Sequence, residues 1–363
     1  MISHKDHFHG SDLEKIEEIY HIPKEQIISF SANVNPLGLS PLLKRSLAEH
    51  IDVLQSYPDR EYHTLKESIA SYVGTSAQNI VVGNGTTELI SLFIELVAPK
   101  KALIVGPTYS EYERSVSLAG GQSFYYALKE EHDFKLNVSH FLEKLNDSID
   151  LLILCNPNNP TSSAIPKADM RKILDCCMEH GIFVMVDETY VEFVEDLDDI
   201  SSVSLANDYT NLVILRGVSK FFAAPGLRLG YAITGNRALH SRYDDKSNPW
   251  TINSLAALAG EMMYRDTDYI RQTRDLISSE RDRIYARFLA SDSYQAYKPH
   301  ANFMLVKIKD PSLTSGDLFD RCIREGLMIR DCSTFPFLSN RFIRFCFMKP
   351  EDNDKLLSCL CKQ

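Results

Sequence analysis

The stretch Leu212-Val213-Ile214-Leu215-Arg216-Gly217-Val218-Ser219-Lys220 decides the reading of the fold. Four apolar residues in a row, without polar alternation, read as a strand covered on both faces. Small and polar residues come next and end on a lysine. In an open α/β sheet, positions just beyond the carboxyl end of a strand are where ligands bind.

Similar short apolar runs recur on both sides: Ile80–Val82, Ala102–Val105, Leu151–Cys155, Phe183–Val186 and Gly230–Ile233. Helical patterns lie between several of them, at Thr87–Val97 and Lys167–His180. Strands alternating with helices predict an α/β fold with a mostly parallel sheet. A long helical pattern runs from Ile252 to Leu289. Strands near Phe303–Lys307 and Phe342–Phe347, with helices at Gly316–Glu325 and Asp352–Cys361, then predict a smaller α+β domain. The chain of 363 residues is long enough for about two domains. The expected division is an N-terminal arm over 1–30 with one short helix at Asp12–Tyr20, a large domain over 31–250 and a small domain over 251–363.

Five of the predicted strands of the large domain, the one ending at Lys220 among them, deliver polar groups to one sheet edge. Gly83-Asn84-Gly85-Thr86-Thr87-Glu88 comes after the first, Gly106-Pro107-Thr108-Tyr109 after the second, and Asn156-Pro157-Asn158-Asn159-Pro160-Thr161 after the third. Asp187-Glu188-Thr189-Tyr190 comes after the fourth. Taken singly, these segments have ordinary readings. Gly83 to Glu88 can be a turn and a helix cap, or a phosphate cradle made of close backbone and a helix N-terminus. Tyr109 can be a core aromatic, Asn159 can cap a turn before Pro160, Asp187 can be a solvated loop acid, and Lys220 can be a surface lysine. Those readings weaken together, because all must hold at one edge.

The composition narrows the partners. Net charge is -10, which argues against nucleic acid and against an acidic membrane surface. An anionic substrate therefore needs a local cationic pocket. The eight cysteines form no pair of C-x-x-C knuckles, so no metal site is expected and buried small hydrophobes are. His4, His7 and His9 lack a carboxylate or cysteine framework and read as a flexible stretch. No run of about 18 apolar residues predicts a membrane span. The polar start, Met1 to Tyr20, lacks the apolar core of a signal peptide, and the cytoplasm is the expected compartment.

The combination suits pyridoxal phosphate (PLP). A protein holding this electron sink must bind its phosphate, orient its ring and charge its nitrogen. A carboxylate serves the nitrogen, an aromatic ring stacks on the pyridine face, and a neutral lysine forms the Schiff base. Val218-Ser219-Lys220-Phe221-Phe222-Ala223-Ala224-Pro225-Gly226-Leu227-Arg228-Leu229-Gly230 resembles the Schiff-base signature of fold-type-I aminotransferases (class I/II), including its gap of eight from Lys220 to Arg228. Cys155 to Thr161 and Val186 to Tyr190 fit the same family in order. The resemblance implies the PLP-dependent transferase fold of aspartate-aminotransferase type. It makes Lys220 the Schiff-base lysine and general acid/base, and pairs Asp187 with the pyridinium nitrogen. Tyr109 stacks on the ring, and Asn159 and Tyr190 bond the ring hydroxyl oxygen. Gly85, Thr86, Ser219 and Arg228 bind the cofactor phosphate. Tyr57, in Ser56-Tyr57-Pro58-Asp59, resembles the tyrosine that reaches a partner subunit's cofactor phosphate, which implies a homodimer.

Two branches of the family fit best: threonine-phosphate decarboxylase, of cobalamin side-chain synthesis, and histidinol-phosphate aminotransferase. The first is favoured by His9-Gly10, Phe30 to Gly38, Pro249 to Asn253 and Ile329-Arg330-Asp331-Cys332-Ser333. By resemblance, Arg330 and Arg344 hold the substrate's phosphate and carboxylate, and His9, Gly10 and Asn33 line the mouth of the site. Departures from the family pattern are Gly217 for Ser or Thr, Ser162 for Gly, Ser11 for the second Gly of His-Gly-Gly, and Met348 where the decarboxylase branch often has Arg. Decarboxylation and transamination differ in which bond stands perpendicular to the pyridinium plane, and nothing in the sequence fixes that angle. A dinucleotide-dependent oxidoreductase would need a third glycine where Glu88 stands. A PLP-binding regulator would need a basic DNA-binding module, which the short arm cannot supply.

Overall fold

An apolar run becomes a buried strand when helices cover both faces of its sheet. The computed structural model describes residues 12–361, and every predicted run lies in a strand except for Phe347, which falls one residue past the end of its strand. In chain order these are β1 Ile28–Ser29, β2 Ile80–Gly83, β3 Lys101–Gly106, β4 Gln122–Ala127, β5 Leu151–Cys155, β6 Phe183–Asp187, β7 Leu212–Gly217 and β8 Gly230–Ile233. Further on come β9 Tyr294–Ala296, β10 Phe303–Ile308, β11 Leu327–Met328, β12 Arg330–Asp331 and β13 Phe342–Cys346.

Strands β2 to β8 form one sheet in the order β2-β8-β7-β6-β5-β3-β4. Pairings from β4 through β7 are parallel, while β8 is antiparallel to both β7 and β2. Two reversals leave β2 running with the rest. The carboxyl ends of β2, β3, β5, β6 and β7 therefore share an edge with the amino end of β8. That geometry puts Arg228, just before β8, beside residues that come after the other strands. The chain crosses from one side of β3 to the other between β4 and β5, so the switch of direction that opens a ligand crevice lies between β3 and β5.

β9, β10, β12 and β13 make a second, antiparallel sheet in the order β12-β13-β10-β9. β1 pairs in parallel with β11, through Ile28 with Leu327 and Ser29 with Met328. The end of the N-terminal arm is thereby tied to the C-terminal part of the chain.

The long pattern from Ile252 to Leu289 is two helices, Ser254–Met263 and Thr267–Leu289. The break has a local cause. Asp266 accepts from the backbone N–H of Tyr269 at 3.1 Å and so caps a new helix start. β4 lies outside the predicted strands, because Gln122-Ser123-Phe124-Tyr125-Tyr126-Ala127 is an edge strand, exposed along part of its length, and carries no continuous apolar run. Inside the large sheet, Arg216 of β7 bonds Glu188, just past β6, through Nε at 3.0 Å and Nη2 at 2.7 Å, with both side chains almost wholly buried. Breaking such a pair costs about 3–5 kcal/mol, since one charge is left buried alone. Among the described residues no helix is long and apolar enough to cross a membrane.

Candidate active site

β2 ends at Gly83, and the chain turns through Asn84, whose N–H donates to Glu88 Oε2 at 2.6 Å. Gly85 then starts the helix Thr86–Val97 with φ +88°. That angle favours glycine, and the guanidinium end of Arg228 lies directly beside it. A Cβ at Gly85 would stand 2.5 Å from Arg228 Nη2. A guanidinium and the first free N–H groups of a helix thus converge on one spot, which is an anion cradle. Ser219 lines the same cleft. Gly217, where the family usually has a hydroxyl, is closed over. A Cβ there would meet Thr86 Cγ2 at 3.0 Å and the Leu229 carbonyl at 3.3 Å.

Lys220 lies just beyond β7 and is half-buried. Its Nζ donates to the carbonyl oxygen of Ala32 at 2.7 Å. Burial, and then the positive charges of Arg344 and Arg228, push its pKa down to about 8. About a tenth of the amine is then neutral at pH 7, far more than for an ordinary lysine, as a nucleophilic amine requires.

Asp187, the last residue of β6, is buried. It accepts from the Tyr112 hydroxyl at 2.7 Å, and from the Thr189 hydroxyl at 2.5 Å and N–H at 2.9 Å. Burial raises its pKa above the ordinary carboxylate value against those three donors. A cation placed against it would relieve that cost. Tyr109 lies over the β3 end of the cleft and meets Tyr112 edge-to-face, with centroids 5.6 Å apart. Burial raises the pKa of its phenol.

Asn159, Tyr190, Arg344 and Arg330 face the same cleft, which holds about 290 Å³. Arg344 of β13 donates to Asn159 Oδ1 and to the Ser31 carbonyl, the latter at 2.6 Å, and lies 5.4 Å from the centre of the Phe303 ring. Arg330 donates to the Thr334 hydroxyl at 3.2 Å, with Phe335 beneath its guanidinium at 5.4 Å. Burial first, and Arg344 next, lower its pKa. Asn33 is buried, in left-handed backbone at φ +55°, and its Nδ2 donates to the Tyr190 hydroxyl at 3.4 Å.

Among the described residues, one expected group is not in this cluster. Tyr57 is 80% exposed and packs on Trp250 with centroids 4.9 Å apart, outside the cleft of its own chain. His9 and Gly10 lie outside the described residues, as do His4, His7 and Ser11. Sequence reasoning missed Ser31, Thr108, Tyr112 and Thr189, which also line the cleft. Tyr112 carried a usable signal, one helical turn beyond Tyr109, and Thr189 sits two residues past the acid, where a side-chain-to-backbone turn forms. Ser31 and Thr108 offered none.

The cleft fits pyridoxal phosphate. The hydroxyls of Ser31 and Thr108, Oδ1 of Asn33 and Nε of Arg344 are buried around it without a hydrogen-bond partner among the described residues. A polar ligand seated in the cleft would give these four atoms partners. The buried carboxylate, the depressed lysine and the anion cradle match the ring nitrogen, aldehyde and phosphate of the cofactor in kind.

Comparison with known proteins agrees with this chemistry. The family "Aminotransferase class I and II" matches residues 25–360. A protein of Caldanaerobacter subterraneus subsp. tengcongensis, provisionally named a threonine-phosphate decarboxylase, is 37% identical over 91% of this chain and 88% of its own. The threonine-phosphate decarboxylase of Salmonella typhimurium is 31% identical over 97% of this chain and 95% of its own. Among solved structures, the histidinol-phosphate aminotransferase from Clostridium acetobutylicum superposes with a TM-score of 0.86. It is 33% identical and covers 91% of this chain and 97% of its own.

Proposed function

Because this chain belongs to the aminotransferase class I and II family and is a pyridoxal-phosphate enzyme, we propose that it decarboxylates L-threonine O-3-phosphate. The observation that carries the proposal is the pair Arg330 and Arg344 facing one cleft with Lys220. A substrate bearing both a phosphate and a carboxylate needs two cations, and a protein with net charge -10 must supply them locally.

When bound, the cofactor supplies an electron sink for the α-carbon bond that stands perpendicular to its ring. Asp187 would hold the proton on the ring nitrogen, and Tyr109 would cover the ring face. Asn159 and Tyr190 would bond the ring hydroxyl oxygen, while Gly85, Thr86, Ser219 and Arg228 would hold the cofactor phosphate. Lys220 would anchor the cofactor at rest and move the proton at the substrate α-carbon. Arg330 would fix the substrate phosphate and Arg344 the carboxylate, with Asn33 at the mouth. Two anchored anions leave the amino acid little rotation, so the angle of the carboxylate is set by where the two guanidiniums stand.

We place the active form as a homodimer in which Tyr57 serves the partner's site. Its exposure supports this, as do the exposed Leu42, Ile51, Leu54 and Trp250. The cytoplasm is the proposed compartment, in keeping with the absence of disulfides among the described residues. A histidinol-phosphate aminotransferase is the second reading, favoured by the 33% identical structure above and by Met348 standing where the decarboxylase branch often carries arginine.

The test is product analysis of the PLP-loaded protein with threonine phosphate, with and without 2-oxoglutarate. Carbon dioxide and aminopropanol phosphate formed without the keto acid are expected. No decarboxylation, with glutamate formed from histidinol phosphate and 2-oxoglutarate, would overturn the proposal in favour of the second reading.

A further inference from the structure

Ser162 is buried, and its backbone is left-handed at φ +59°. Glycine takes that conformation freely, whereas an L side chain is strained in it. The family resemblance also places glycine here, after Asn159-Pro160-Thr161. A serine held in this conformation needs a compensating contact, and its hydroxyl makes two. Oγ accepts from the backbone N–H of His300 at 3.0 Å and of Ala301 at 2.9 Å. The Ser162 carbonyl accepts from His300 N–H as well, at 3.0 Å.

These contacts join distant parts of the fold. Ser162 lies in the loop after β5 of the seven-stranded sheet, whereas His300 and Ala301 lie between β9 and β10 of the four-stranded sheet. The same loop carries Asn159, which accepts from Arg344 on β13, the neighbour of β10. The next residue, Asn302, donates to the Asn33 carbonyl at 2.9 Å. Asn33 in turn reaches the Tyr190 hydroxyl, and Ala32 before it holds Lys220 Nζ. The Ser162 hydroxyl thus adds two bonds to the Ser162 carbonyl and the Arg344–Asn159 contact in fastening the strand pair bearing Arg344 to the loop bearing Asn159, and through Asn302 the junction reaches the segment that touches Lys220.

We infer that Ser162 is a positioning residue, whose hydroxyl clamps the Arg344-bearing sheet against the Asn159 loop and so fixes the substrate carboxylate relative to Lys220. The inference rests on the reading of the cleft as a PLP-dependent site with Arg344 on the carboxylate. Ser162 itself does not line the cleft.

Ser162→Gly and Ser162→Ala separate the clamp from mere folding. The glycine variant loses both acceptor and strain. The alanine variant loses the acceptor and keeps a Cβ in left-handed backbone. The measurements are melting temperature, amide hydrogen exchange with and without PLP, and KM and kcat for whichever substrate the wild type turns over. Both variants should raise KM by roughly three- to tenfold, equivalent to about one net hydrogen bond. Both should also speed exchange at Ala301. His300 should change less, because it keeps the backbone carbonyl. Ser162→Ala should melt below Ser162→Gly even so. Kinetics that track melting temperature, with Ser162→Gly at the wild-type KM, would overturn the inference, as would unchanged exchange at Ala301 in both variants. A wild type that turns over neither phosphorylated substrate would remove the functional reading alone, since exchange at Ala301 still decides the clamp.

Discussion

At the scale of single residues, burial moves two ionisable groups of the site, Lys220 toward the neutral amine its chemistry needs and Asp187 away from the carboxylate, a cost that a protonated ring nitrogen placed against it would relieve. Burial lowers Lys220 to about 8 and raises Asp187. Below a pKa of about 8 the neutral amine falls tenfold per pH unit, and above it the amine is already neutral. The rate at which PLP attaches to the cofactor-free protein should therefore climb about tenfold per unit up to pH ~8 and then level off. An exposed lysine would keep climbing to about 10.4. Stopped-flow absorbance between pH 6 and 10 distinguishes the two. Lys220 and Asp187 were legible because each stands at or just past the end of an apolar strand. Ser31 and Thr108 were not, because neither stands in a local pattern and only the folded cleft brings them to it.

At the scale of elements, the phosphate cradle depends on close approach between the helix start at Thr86 and the start of β8. A Cβ at Gly230 would stand 2.7 Å from both the Gly85 carbonyl carbon and the Thr86 nitrogen, all backbone. Gly230→Ala should push the two apart, at a cost of about 1–3 kcal/mol for the overpacked contact. A lower melting temperature and weaker PLP binding in a fluorescence titration are the expected outcomes. The strands of the large sheet were legible from sequence because burial on both faces makes a strand wholly apolar, as in Leu151–Cys155. Edge strands β4 and β9 and the two-residue strands β1, β11 and β12 escaped, because pairing on one side or over two residues leaves no pattern.

At the scale of the whole molecule, one face carries an apolar group of exposed residues. Leu42 lies on the helix Pro41–Glu49, Ile51 and Leu54 on the turn Ile51–Gln55, and both elements pack on the helix Ser254–Met263. Tyr57 and Trp250 stack nearby, with Arg60 above the Trp250 ring at 5.8 Å. Light scattering should give twice the 41.2 kDa chain mass, and Leu54→Asp should shift the protein toward the monomer by placing a charge in the contact. If the partner's Tyr57 completes the phosphate site, that monomer should also hold PLP more weakly. A wild type that elutes as a monomer with full PLP affinity would remove the role given to Tyr57.

The sequence by itself determined most of the large sheet, the edge where polar residues gather and the lysine and acid that stand there, while the arginines came only from the family resemblance. Strand burial and strand direction are written in short contiguous runs, and a parallel sheet forces the residues after its strands onto one side. Tertiary structure alone decided the rest. The antiparallel insertion of β8 brings Arg228 to Gly85, the register of β10 with β13 aims Arg344 at Asn159, and the clamp at Ser162 closes on residues 300 and 301. Each of these joins segments far apart in the chain, and no local pattern encodes the geometry of such a contact.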